Sequence, residues 1–207
     1  MKIDLTVIIP YYNESKTIVK TLNLLIKQSY QPKKVILVNS SSTDNTSNLI
    51  DEWIKKTDLK DIIFKNIFQN TNLPSSSKNV GIKYSDTRFI AFMDCDLDFE
   101  HNWLKCQYNY LIEEKLDIVF GSVELSGNSS IDISSVAHTY GYKKKRECIP
   151  GSVLKKEVID EVGIFKEFRS GYDPFWRNKV KIKELKYRIA PNRIVTYMGV
   201  NYAKNYK

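Results

Sequence analysis

The 207-residue chain carries a formal net charge of +8, with 42% hydrophobic and 12% aromatic residues. This length suits one substantial core, and the apolar content excludes a disordered chain, which lacks the material to offset its ordering entropy. No apolar run approaches the roughly 18–20 residues needed to cross a bilayer, the basic residues match no nucleic-acid module, and no signal-peptide layout opens the sequence, so a cytoplasmic protein with no nucleic-acid partner is expected.

Residues 5–9 (Leu-Thr-Val-Ile-Ile) form a β-branched run that predicts a strand leaving the sheet at Pro10, which cannot donate to a ladder. A helix follows. Asn13 or Ser15 can cap it, Glu14 suits its positive end, and Ile18, Leu22, Leu25 and Ile26 recur at helical spacing. Residues 35–38 (Val-Ile-Leu-Val) make a second strand, so the segment reads as a βαβ unit with parallel pairing and a right-handed crossover. The polar turn that follows, residues 39–46, precedes a helix carrying Leu49, Ile50 and Trp53. Turns at this edge of an open α/β sheet are where ligands bind. Ordinary capping explains Ser42, Thr43 and Asp44 but not Asn39, still at strand register. A third strand falls at 62–64 or 67–68, and a helix begins near Ser75. Lys78 in its first turns opposes the helix dipole unless an anion lies nearby.

Residues 89–93 predict a buried fourth strand that opens into Asp94, Asp96 and Asp98. If strand geometry persists, these three carboxylates share a face. A bound divalent cation and a plain acidic turn account for such a stretch equally well. Cys95 points the other way. The three cysteines, Cys95, Cys106 and Cys148, cannot all pair and lack a zinc-site spacing, which fits free thiols. A helix over 102–114 and a strand over 117–121 continue the βα alternation of a mainly parallel sheet. The Gly/Asn/Ser-rich stretch 126–139 reads as a mobile surface loop. The basic block Lys143-Lys144-Lys145-Arg146 reads as a solvated loop, with peripheral contact at an anionic membrane surface or with a phosphorylated acceptor as the alternative. Order resumes at 150–154, a short helix runs to Glu161, and Gly171-Tyr172-Asp173-Pro174 opens an amphipathic helix to about Glu184, with Asp173 as a plain N-cap on local grounds. Short strands at 187–189 and 194–197 close the chain.

These segments together resemble family 2 glycosyltransferases, the inverting nucleotide-sugar enzymes with the GT-A fold. Residues 7–14 (Val-Ile-Ile-Pro-Tyr-Tyr-Asn-Glu) are similar to the family's opening strand and loop, and residues 38–46 to its second-strand motif. Lys78-Asn79-Val80-Gly81 resembles its Arg-Asn-x-Gly segment, Asp94-Cys95-Asp96 its Asp-x-Asp metal motif, and Gly171-Tyr172-Asp173 its Gly-Glu-Asp segment. Each motif is weak alone, but five in the family's order are specific.

The resemblance implies an α/β, Rossmann-like sandwich of the GT-A type, with a mainly parallel central sheet flanked by helices. It implies one domain over 1–207, in which 1–98 bind the nucleotide sugar and 99–207 the acceptor. Asp96 would ligate Mg²⁺ or Mn²⁺ with Asp94 at the metal or the ribose. Pro10, Tyr12, Glu14, Asn39, Lys78, Asp94 and Cys95 belong to the nucleotide-binding segments, and Asp173 would be the general base. Asp98 is then a solvated turn residue. The partners implied are a nucleotide-sugar donor, UDP-linked by preference, and a glycan, lipid-linked or protein-linked acceptor.

Three residues depart from the family pattern. Asn39 stands where an aspartate usually accepts the uracil N3 hydrogen, Tyr172 replaces the first acid of Gly-Glu-Asp, and Tyr197 lies near the position of the usual histidine. They leave open a catalytically silent nucleotide-binding module. A sugar nucleotidyltransferase is the other rival, but it would carry a Gly-rich basic loop after the first strand, unlike Pro10-Tyr-Tyr-Asn-Glu14.

Overall fold

The computed structural model describes residues 1–57, 61–95, 97–125, 146–189 and 195–197. Asp96, the 126–139 stretch and Lys143, Lys144 and Lys145 lie outside the described residues. The elements are β1 (Lys2–Tyr11), α1 (Ile18–Ile26), β2 (Gln31–Ser40), α2 (Thr46–Lys56), β3 (Ile63–Gln69), α3 (Pro74–Lys83), β4 (Phe89–Phe92) and β5 (Leu97–Phe99). They continue with α4 (Trp103–Glu113), β6 (Ile118–Gly121), β7 (Val123–Leu125), β8 (Cys148–Lys155), α5 (Glu157–Val162), α6 (Tyr172–Ile182), β9 (Tyr187–Ile189) and β10 (Val195–Tyr197).

A seven-stranded sheet runs in the order β3-β2-β1-β4-β8-β6-β9, and a three-stranded sheet in the order β5-β10-β7. All neighbours in the large sheet are parallel except β8, which runs against both β4 and β6. The expected mainly parallel sheet is therefore present, with one reversed strand. Alternation along β1 sends Val7 and Ile9 to one face and Ile8 to the other. The first face is covered by Leu22 of α1, Trp53 of α2 and Leu104 of α4, and the second by Ile82 of α3, Val158 of α5 and Trp176 of α6. Buried strands need apolar residues on both faces, which is why their sequences read as continuous runs.

Pro10 does not end β1 but pairs with Val38 inside it. Ile8 carbonyl oxygen accepts from Met93 N–H on the β4 side, and β4 stops at Phe92, so the donor that Pro10 lacks would have faced an unpaired edge. Two glycines allow close approaches that set up the site. A Cβ on Gly81 would meet Ile8 Cγ2 at 2.3 Å, so α3 lies directly on β1. A Cβ on Gly121 would meet the Pro150 carbonyl oxygen at 2.0 Å, which holds β8 hard against β6.

Candidate active site

At the carboxyl ends of β1 and β2 two loops clamp each other. Asn13 Oδ1 accepts from Thr43 N–H at 2.8 Å and Asp44 N–H at 3.2 Å, while Ser15 N–H donates to Asp44 Oδ2 at 3.1 Å. Asn13 sits at φ 56° and Ser41 at φ 63°, left-handed positions that asparagine tolerates through such local bonds. Neither Asn13 nor Ser15 caps α1, whose N-cap is Thr17, with its hydroxyl turned back to Glu14 and making no capping bond among the described residues. Their polar groups are spent on the neighbouring loop instead. Burial pushes the Asp44 carboxyl up, but the donors from Thr46 and Ser15 together outweigh it and bring it down to about 2. Asn39 is buried at the end of β2, and its Oδ1 accepts from Ser42 N–H at 2.8 Å.

Strand geometry does not persist beyond Phe92, so the alternation of carboxylates on one face breaks. Asp98 belongs to β5, paired opposite Thr196 and ion-paired to Lys20 at 2.5 Å; it is a strand residue and not a turn residue. Cys95 is buried in the first core face and its carbonyl oxygen accepts from Thr21 Oγ1 at 3.0 Å.

The anion that Lys78 needs is Asp94. Because Gly81 seats α3 on the sheet, Lys78 one turn earlier is held inside, 2% exposed, with Nζ 3.4 Å from Asp94 Oδ1 and 3.2 Å from the Tyr172 hydroxyl oxygen. Burial alone would lower the lysine pKa. Asp94, then Tyr172 and Asp173, overcome it and hold the ammonium well above its ordinary range. Tyr172 is pushed up to about 12, by burial first and against the pull of Lys78.

Helix α6 begins at Tyr172 after Gly171 at φ 79°, so Asp173 is not the N-cap; it stands in the first turn. Its residue is half-buried, yet Oδ1 is wholly buried without a hydrogen-bond partner among the described residues. Burial pushes this carboxyl up to about 6, opposed by the Lys78 charge and reinforced by Asp94, with Arg177 and the Ile149 N–H also opposing. Glu14 is likewise raised by burial, against its bond from Thr17 Oγ1 and with Asp94 adding to it.

Two cavities meet here. One, of about 370 Å³, is lined by Pro10, Tyr12, Glu14, Lys78, Asp94 and Cys95 among others. The second, of about 580 Å³, is lined by Asp173, Arg177, Glu147 and Pro150 among others, and the two share Pro74, Asp94, Arg169 and Tyr172. Six of the predicted nucleotide-segment residues thus lie together around the first cavity, and Asp173 faces the second. Asn39 is not among the lining residues, although its neighbour Ser40 is. Sequence reasoning missed Tyr11, Asn72 and Arg169 as lining residues and treated Tyr172 only as a replacement. Tyr172 had a signal, being next to Asp173 at a helix start. Arg169 had none, since a lone arginine before a glycine is an ordinary surface residue.

The chain's sequence matches the model of Glycosyl transferase family 2 over residues 6–168. It belongs to that family. Among relatives of this family 2 chain, glycosyltransferase AglE of Haloferax volcanii is 25% identical over 185 residues, covering 84% of the chain and 60% of AglE. The Escherichia coli UDP-Glc:alpha-D-GlcNAc-diphosphoundecaprenol beta-1,3-glucosyltransferase WfgD is 27% identical over 126 residues, 61% of the chain and 48% of WfgD. The crystal structure of S. aureus TarS 1–349 in complex with UDP-GlcNAc superposes with a TM-score of 0.73 at 20% identity, covering 95% of the chain and 58% of TarS 1–349. The mannosyltransferase PcManGT from Pyrobaculum calidifontis, in complex with GDP-Man and Mn²⁺, gives 0.73 at 18% identity, covering 95% and 57%. The fold is therefore the GT-A type. The family 2 chain spans less than two thirds of the length of each of these proteins. No described helix is long and apolar enough to cross a membrane.

Proposed function

We propose that this chain transfers a sugar from a nucleoside diphosphate donor to an acceptor hydroxyl, inverting the anomeric centre, with Asp173 as the general base. The observation that carries the reading is the Asp173 carboxyl, raised to about 6 with one oxygen buried and unpartnered, facing a cavity that joins a second one through Asp94 and Tyr172. A base whose pKa lies near the working pH is both deprotonated and basic enough to accept a proton. In this reading the first cavity takes the donor and the second the acceptor. Residues 1–98 supply most of the first wall and 99–207 most of the second, while Arg169 and Tyr172 cross to the first and Pro74 and Asp94 to the second.

The acceptor oxygen attacks the anomeric carbon from the face opposite the diphosphate, its proton passes to Asp173, and the carbon–oxygen bond to the phosphate breaks with its electron pair on the leaving group. Asp94 is a described carboxylate that fits a divalent cation, being 22% exposed and lining both cavities, and among the described residues its side chain makes only a long contact, to Lys78. No group of three or more His, Cys, Asp or Glu side chains among the described residues could hold a metal. Mg²⁺ commonly takes one or two carboxylates and completes its shell with phosphate oxygens and water. Asp96 with Asp94 would hold Mg²⁺ or Mn²⁺, and the ion would offset the charge growing on the diphosphate. Lys78 holds Asp94 in place. Uridine is the preferred nucleoside because an amide oxygen such as Asn39 Oδ1, which accepts from Ser42 N–H, has a second lone pair for a uracil N3 hydrogen, and Asn39 adjoins Ser40 on the first cavity's wall. Glycan, lipid-linked and protein-linked acceptors all offer the hydroxyl this chemistry needs.

A thermal-shift screen of nucleotide sugars with and without Mn²⁺ tests the reading, because a ligand that binds only the native state raises its stability. A UDP-sugar should shift the melting temperature more with Mn²⁺. No shift with any nucleotide sugar, or release of diphosphate from a nucleoside triphosphate and a sugar phosphate, would contradict it.

A further inference from the structure

Among the described residues four cations line the two cavities, namely Lys78, Arg146, Arg169 and Arg177. Three of them are engaged. Lys78 is bound to Asp94 and Tyr172, Arg177 Nη1 donates to Glu147 Oε2 at 3.0 Å, and Arg146 is not free. Arg169 is exposed, and its guanidinium makes no hydrogen bond or ion pair with another described residue. It is also the one of the four that lines both cavities. Asp94, on the same wall, is in contact with Lys78, and Arg169 makes no ion pair with it.

This inference rests on the donor–acceptor reading above. If donor and acceptor occupy adjoining cavities, the bond that breaks lies where they meet. The β-phosphate of the donor gains charge there as its bridging oxygen keeps the electron pair. Lys78 is buried beneath and already satisfied, whereas an arginine offers a planar fork that matches phosphate oxygens in pairs. We propose that Arg169 grips the β-phosphate of the donor and stabilises the departing nucleoside diphosphate. The local sequence supports the placement, since Arg169 is four residues before Asp173 and Gly171 between them turns at φ 79°. One short connection thus carries both the cation for the leaving group and the base for the incoming one.

The test compares nucleotides that differ only in that phosphate. UDP and UMP are titrated in one Mn²⁺ buffer against wild-type, Arg169→Ala and Arg169→Lys chains, with circular dichroism to verify folding. CDP/CMP and GDP/GMP pairs are run in parallel, and the nucleoside whose diphosphate binds the wild type is the one compared. Arg169→Ala should weaken the diphosphate about 10- to 100-fold and leave the monophosphate within about twofold, as expected for loss of a charge-assisted hydrogen bond. Arg169→Lys should fall between, keeping the charge but not the fork. Equal loss for diphosphate and monophosphate, or no loss, overturns the role of Arg169 and leaves the proposed function standing. Failure of the wild type to bind any of the three diphosphates overturns both.

Discussion

Lys78 Nζ lies 3.4 Å from Asp94 Oδ1, with the lysine side chain 2% exposed and the aspartate 22%. The pair is unequal, because the lysine side chain is almost wholly buried while the carboxylate keeps some access to water. Breaking a buried pair by removing one partner costs about 3–5 kcal/mol when the charge left behind stays buried. Asp94→Ala should therefore cost more stability than Lys78→Met, which removes the buried charge and leaves a carboxylate that can hydrate. Urea midpoints of the two variants check this, and the reverse order would contradict it. Folding holds the Lys78 ammonium above its ordinary range. A group raised on folding stabilises fully below its unfolded pKa, so the contribution of this pair holds through neutral pH and is lost only above the ordinary lysine range.

Asp173 carries the opposite linkage to most carboxylates. Its pKa rises from 3.8 to about 6 on folding, so over that window the native state holds a proton the unfolded chain has released. Stability should fall as pH rises through the window, by on the order of 2–3 kcal/mol at 1.36 kcal/mol per pKa unit. Asp173→Asn should flatten that slope and be the more stable protein at pH 7 in urea unfolding. Turnover should rise with pH through about 6 as the base is freed, following the same group. A variant less stable than wild type at neutral pH would show that burial does not dominate this site.

Gly121 joins the fold to the second cavity. A Cβ there would sit 2.0 Å from the Pro150 carbonyl oxygen and 2.9 Å from the Gly151 carbonyl carbon, backbone atoms that cannot step aside cheaply. Gly121→Ala should destabilise by about 1–3 kcal/mol or more, as overpacking does. Because Pro150 lines the second cavity, acceptor KM should rise as well. A thermal melt and acceptor titration of this variant give both numbers.

The strands were legible wherever burial on two faces forces continuous apolar runs, as in residues 35–38 and 89–92. Helix α1 was legible from Ile18, Leu22 and Leu25, all buried, but its start was not. Asn13 and Ser15 look like caps in one dimension and are bonded across to Thr43 and Asp44 in three. The reversal of β8 left no mark, since an apolar run carries no direction. Asp94 and Asp98 looked equivalent because period-two spacing assumes one unbroken strand, and the chain instead changes sheets between them. Lys78 was readable as a cation in want of an anion, though not which anion. The local sequence made Asp173 an N-cap; burial of its Oδ1 is a tertiary effect that no spacing encodes.

As the base of a sugar transfer, Asp173 should have no part in donor binding. The direct measurement is a paired one on Asp173→Asn and wild type, with UDP affinity in Mn²⁺ beside the rate of sugar release or transfer from a UDP-sugar. If Asp173 is the base, affinity should be equal and the rate reduced to background, about 10²–10⁴-fold below wild type for loss of a general base. Unchanged turnover in Asp173→Asn, with nucleotide binding intact, would contradict it.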